Sequence, residues 1–249
     1  MATCNKLKQK FFRGGDLFEV VMVADASGNV GAGAGPQITL PNGQYHINKF
    51  GYTGTDVNGS ATVWDGNGTT ALYPYPANGP ISITSTDAVD DPGLPIEVQG
   101  LDVNSIQVTE TVPVGQTGSV VFSRVFRAGV VGSATNVGVI TINMGGNLAA
   151  NILAGNGQTL MALYTIPAGK RGYLLQFQGS ADKAAAVQFK LFADSNLKGQ
   201  WGTQGGNPVT YSYPVPLEFP PLTDIRIDVF TSSNCGCGAV FDILLVDIV

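Results

Sequence analysis

Charge is what this sequence has least of. Asp, Glu, Lys and Arg make up 12% of the 249 residues, about half the usual share. A coiled coil or charge-laced helical bundle needs those residues at a helical period, and both are excluded. Histidine occurs once, as His46, so a Ser-His-Asp triad has a single candidate base, and no Gly-x-Ser-x-Gly elbow presents a nucleophile. Cysteine occurs three times, at Cys4, Cys235 and Cys237. An odd count does not build a disulfide framework, and Cys235-Gly236-Cys237 lacks the two-residue spacer of zinc and thioredoxin-like sites. No apolar run reaches the ~18 residues of a membrane span. Phe11-Phe12 is followed at once by Arg13-Gly14-Gly15-Asp16, which leaves no h-region of ~7–15 apolar residues. A soluble chain without a secretory signal is expected. Gly31-Ala32-Gly33-Ala34-Gly35 lacks the Lys and Ser/Thr of a P-loop and the spacing of a dinucleotide fingerprint.

Positive charge is also unevenly placed. Lys6, Lys8, Lys10 and Arg13 stand in the first thirteen residues, which hold no acid. That leaves nine of the 13 basic side chains against all 18 acidic ones. No Lys or Arg occurs between Lys49 and Arg124, a stretch holding Asp56, Asp65, Asp87, Asp90, Asp91, Glu97, Asp102 and Glu110. Such a body repels nucleic acid, and neither nucleic acid nor membrane is expected as a partner. The basic start is either a frayed terminus or an arm that docks an acidic body onto another protein.

Glycine is abundant, with 33 residues, and 44% of the chain is hydrophobic. That combination opposes disorder and suits short strands joined by tight turns. Residues 1–35 read as an extended N-terminal arm and Gly-rich linker, ending in Gly31–Pro36. Strands are expected at Gln44–Tyr52, Ser60–Trp64, Ile81–Thr84, Ile96–Leu101, Val108–Val112 and Val120–Arg127. A second set follows at Gly138–Asn143, Thr159–Ile166, Gly172–Gln178, Ala186–Phe192, Ile225–Phe230 and Ala239–Val249. Asn42-Gly43, Asn58-Gly59, Asn67-Gly68 and Asn78-Gly79 read as hairpin turns. Pro214, Pro216, Pro220 and Pro221 predict an extended loop. The only helix candidates are Leu148–Leu153 and Asp182–Ala186. Thr111-Val112-Pro113-Val114-Gly115 echoes Thr165-Ile166-Pro167-Ala168-Gly169, as a duplicated unit or one turn used twice. The fold class expected is all-β: two β-sandwich, jelly-roll-like domains, 36–135 and 136–249, behind the arm.

Candidate sites are few. His46 lies in a strand pattern and reads as a cross-strand partner. Asp87, Asp90 and Asp91, and separately Asp65-Gly66-Asn67-Gly68, offer oxygen atoms that Ca²⁺ would accept, but neither is an EF-hand loop and turns use the same residues. Glu97, Asp102 and Glu110 could pair as glycosidase carboxylates or simply face solvent. No catalytic residue, metal or cofactor is therefore assigned. The aromatic residues carry more. Trp64 stands near Tyr73 and Tyr75, and Trp201 near Tyr211 and Tyr213, on Pro-bounded segments. Such rings serve interfaces or glycan stacking when exposed, and ordinary packing when not. The interface candidates are these six with Lys6, Lys8, Lys10, Phe11, Phe12 and Arg13.

Several segments occur in a telling order: Val63–Gly68, Tyr73-Pro74-Tyr75-Pro76, Ile83–Gly93 and Glu97–Asp102. Glu110-Thr111-Val112, Phe122–Ala128, Ile166–Lys170 and Thr223-Asp224-Ile225 follow. This string resembles virion structural proteins of tailed bacteriophages, those of marine phages and cyanophages in particular, over about two thirds of the chain. The resemblance implies a non-enzymatic assembly protein located in the virion. A capsid decoration (cement) protein docking through its basic arm is the first expectation. A tail, collar or fibre-base component is the alternative, although no heptad or collagen-like stalk is present. A carbohydrate-binding or receptor-binding adhesin module is a further one. Implied partners are a major capsid protein or tail proteins, and further copies of the chain in a homo-oligomer, a trimer by preference.

Overall fold

The computed structural model describes residues 8–13, 16–21, 40–54, 56–66, 72–132, 134–183, 185–203 and 206–248. They form seventeen strands and no helix, so the chain is all-β. β1 (Lys8–Arg13) and β2 (Asp16–Val21) pair antiparallel with each other, so part of the expected arm is a hairpin. It belongs to a unit of residues 1–44, and residues 45–249 form a second compact unit. The Gly31–Pro36 linker lies outside the described residues, as does Asn67-Gly68.

The body runs β3 (Gln44–Tyr52), β4 (Val57–Thr62), β5 (Gly79–Ser85), β6 (Pro95–Asp102), β7 (Gln107–Pro113) and β8 (Thr117–Val130). It continues with β9 (Ile140–Met144), β10 (Asn147–Ile152), β11 (Leu163–Thr165), β12 (Lys170–Ala181) and β13 (Val187–Ala193). The last are β14 (Asn196–Thr203), β15 (Val209–Phe219), β16 (Asp224–Cys235) and β17 (Cys237–Asp247). One six-stranded sheet has the order β10-β9-β5-β8-β6-β7. A second sheet has the order β11-β16-β13-β14, with β4 also on β16, and a third is β15-β12-β17-β3. The pairings cross the expected 135/136 boundary, because β3 and β4 complete sheets otherwise built from strands after residue 160. The second and third sheets face each other across Phe177 of β12, which stacks on Trp201 of β14 at 4.2 Å and meets Phe189 of β13 at 5.7 Å.

Three local expectations are corrected. Leu148–Leu153 is not helical, because Gly145 and Gly146, both at positive φ, turn β9 straight back into β10. Ala149, Ala150 and Ile152 are then buried on the sheet, and a short apolar run carries no period that separates the two states. Asp182 and Lys183 form a bend rather than the start of a helix, the Asp182 carboxylate accepting the Gly236 N–H at 2.8 Å; Ala184 lies outside the described residues. Pro214 and Pro216 sit within β15, where an edge position leaves their missing N–H groups harmless. The ladder to β12 is interrupted there, between the Leu174–Leu217 and Gln176–Ser212 pairs.

The Asn-Gly signals divide. Asn42-Gly43 turns into β3, whereas Asn58-Gly59 lies inside β4 and Gly79 opens β5. Gly79 is needed for space: a Cβ there would lie 2.5 Å from the Gly145 Cα. The echo at 113–115 and 167–169 is one turn used twice. Gln116 N–H donates to the Pro113 carbonyl and Lys170 N–H to the Pro167 carbonyl, with glycine at positive φ in third position.

Candidate functional site

The two aromatic groups separate sharply. Trp64 is 4% exposed and Tyr73 is buried with it. Their rings meet edge to face at 4.9 Å, and Tyr73 meets Tyr75 the same way at 5.0 Å. The Tyr73 hydroxyl donates to the Ala149 carbonyl at 3.0 Å. Tyr75, half-buried, packs under the Arg124 guanidinium at 5.3 Å. As interface candidates Trp64 and Tyr73 are corrected: the body encloses them, so neither can touch a partner or stack on a sugar.

Trp201, Tyr211 and Tyr213 remain at the surface. Trp201 is covered on one side by Phe177, and Tyr211 and Tyr213 lie 5.9 Å and 6.5 Å from it. Tyr211 is 42% exposed, and Val215 on the same outer strand is 81% exposed. Gly199–Leu217 contains no charged residue and no histidine. Of the basic candidates, Lys6 lies outside the described residues. Lys8, Lys10, Phe11, Phe12 and Arg13 lie along β1, in register with Val21, Glu19, Phe18, Leu17 and Asp16.

The acids are spent on local structure. Asp91 is buried and accepts from the Ser85 hydroxyl, the Val137 N–H and the Gly138 N–H. Backbone donors hold the Asp87 carboxyl below its usual range. Asp102 caps the β6–β7 turn through Asn104 and Ile106 N–H, and Glu110 accepts from Ser119 and Val120 of β8. Glu97 accepts from the Gln99 side chain. His46 is a cross-strand partner, its Nε2 3.0 Å from Asp242 of β17. Cys235 and Cys237 are free, buried thiols 3.7 Å apart, and burial pushes the Cys237 thiol up.

The notable cavity is one that the sequence did not announce. About 150 Å³ lies between β3, β6, β8 and β11, with His46, Gln107 and Arg127 at an exposed rim and Lys49, Phe126 and Tyr164 beneath. Lys49 is 7% exposed and donates to the Phe126 carbonyl. Burial first, then the Arg127 charge, pull its ammonium down to about 7. Asp65, fully buried, is pushed up by desolvation to about 8 although its Oδ2 accepts the Leu160 N–H. The one available signal was the alternation of β3, which puts Lys49 on the same side as Ile47 and Gly51, toward the core.

These two groups set a pH dependence. Asp65 holds a proton in the folded state that the unfolded chain releases near pH 4, so its contribution is full below that and is lost as pH rises through about 8. Lys49 acts oppositely, favouring the folded state above the ordinary lysine range and losing that contribution as pH falls through about 7. Urea midpoints should therefore fall between pH 5 and pH 7, with a slope on the order of 1 kcal/mol per pH unit. Asp65→Asn should flatten that slope. An unchanged slope in the variant would remove Asp65 as its source.

No family model matches the sequence, and no curated protein matches it. Among solved structures the chain is similar to the VP2 subviral particle of infectious bursal disease virus. The identity is 9%, over 84% of this chain and 77% of that one, with a TM-score of 0.17.

Proposed function

We propose that this chain is a non-enzymatic structural component of a virion, a capsid decoration protein that docks through its basic N-terminal segment and self-associates through its β body. The observation that carries the self-association is the β14–β15 edge. Nineteen successive residues, Gly199–Leu217, are uncharged, and their outer strand exposes Tyr211 and Val215. Edge strands of monomeric proteins are usually guarded by charge, lysine above all. Here Pro214 and Pro216 guard only against strand addition, leaving the side chains available. Protein interfaces deplete charge at their centres and enrich tyrosine and tryptophan, which is the composition of this edge. The resemblance of its ordered motifs to tailed-phage virion proteins supports the location, and the concentration of Lys6, Lys8, Lys10 and Arg13 supports the docking segment.

The full 25.9 kDa chain should sediment as a closed oligomer, a trimer by preference. Val215→Glu and Tyr211→Arg should return it to a folded monomer, because both positions are exposed in the single chain, with a thermal midpoint that no longer depends on protein concentration. Monomeric wild type at 100 µM (about 2.6 mg/mL) would overturn the self-association. Deleting residues 2–15 should leave the body folded and abolish incorporation into particles; wild-type incorporation would overturn the docking role. The adhesin alternative keeps only Trp201, Tyr211 and Tyr213 as stacking surface, and glycan-array binding lost in Trp201→Ala would favour it.

A further inference from the structure

The cavity beneath the His46–Arg127 rim has the form of a site whose ligand is an anion. Its two cationic side chains, Lys49 on β3 and Arg127 on β8, point to the same space, and each repels the other's charge. Among the described residues neither has a carboxylate within ion-pairing distance. Arg127 donates only to the Gln158 side chain, at 3.2 Å, and Lys49 only to the Phe126 carbonyl. Neighbouring carboxylates are engaged elsewhere: Asp242 with His46 and Asn48, Glu97 with Gln99. Asp65, the acid coupled to Lys49, is held neutral near pH 7 by its burial and so does not oppose an anion.

Tyr164, 1% exposed, packs beside Phe126 at the cavity floor. The space suits a small group: liquid water takes about 30 Å³ per molecule, and the cavity offers about 150 Å³.

We propose that this cavity binds a small free oxyanion, held between the Lys49 ammonium and the Arg127 guanidinium. Arg supplies a planar fork for two oxygens and Lys a point charge. The anion removes the repulsion between the two cations and favours protonated Lys49, so binding takes up a proton when Lys49 starts neutral. Affinity for acetate, whose charge is constant across this range, then rises as pH falls from 8.5 toward 6.5. His46 at the rim is already tied to Asp242, and burial raises the Tyr164 phenol, which stays neutral throughout this range.

The test is titration calorimetry of the full chain with inorganic phosphate and, in a parallel arm, with acetate. One saturable site per chain is expected for at least one of them, with proton uptake at pH 8 shown by the dependence of the heat on buffer ionisation. Arg127→Gln and Lys49→Met should each weaken it at least tenfold, and Lys49→Met should abolish the proton uptake. No saturable site up to 50 mM of either anion would overturn the proposal. Undiminished binding in Arg127→Gln, which keeps the buried lysine and alters an exposed side chain, would overturn it equally.

Discussion

Trp64→Ala should lower the unfolding free energy of the chain by about 3–5 kcal/mol, the usual cost of emptying a buried large aromatic site. The indole is enclosed, meets Tyr73 edge to face at 4.9 Å, and has Gly66 packed on it so closely that a Cβ at 66 would fall 2.2 Å from its ring atoms. Nothing nearby can relax into the space, because Tyr73 is itself held by hydrogen bonds to Ala149 and Thr62. Urea unfolding followed by far-ultraviolet circular dichroism gives the midpoint shift, and an unchanged m value shows that the native state is otherwise intact. Trp201→Ala should cost less, since Trp201 keeps one flank open. A loss below 1 kcal/mol for Trp64→Ala would mean that the ring is not part of the core.

Asp224→Ala is the second large effect, about 2–3 kcal/mol, below the 3–5 kcal/mol of a fully buried pair because both partners keep some solvent. Asp224 accepts two bonds from Arg124, both at 2.9 Å, and a third from the Thr165 hydroxyl. Arg124 sits on β8 of the six-stranded sheet and Asp224 on β16 of the second, so the pair ties two sheets. Removing the carboxylate strands the guanidinium over the Tyr75 ring. A double-mutant cycle with Arg124→Ala should return a coupling of at least 1 kcal/mol. Additive losses would mean that the two side chains act independently. The Asp224 hydrogen bond holds the Arg124 guanidinium's pKa above its usual value, so Arg124 stays charged at every accessible pH.

The turn and strand vocabulary was readable from single residues. β3 begins and ends where its alternation says, and twelve expected strands each overlap an observed one, because period-two patterning reports burial of one face directly. The helix expected at Leu148–Leu153 failed because a small apolar segment has no face to declare. β14 was missed because Asn196–Thr203 is mostly exposed and polar. The Pro214–Pro216 stretch reads as a loop in the sequence although it is a strand with a neighbour on one side only, because a sequence does not state which strands are edges.

Sites divide on the same line. That His46 would be a cross-strand partner followed from its strand pattern. Trp64 and Trp201 stand in similar company, near two tyrosines and prolines, yet one is enclosed and the other open. Burial of a ring depends on residues far away in the chain, here Met161 bridged to Trp64 and Tyr73 hydrogen-bonded to Ala149. The cavity was illegible for that reason: Lys49, Arg127 and Tyr164 come from three strands more than thirty residues apart.

By itself, the sequence determined that this protein is all-β, poor in charge, and basic only at its start, because composition and period-two alternation are local properties. Tertiary structure alone decided that β3 and β4 would close sheets of the second half. It alone left β15, uncharged but for Glu218, at an edge and set two cations without carboxylate partners on one cavity. Those outcomes depend on non-local pairing, whose register is chosen by the packing of whole sheets and by no single segment.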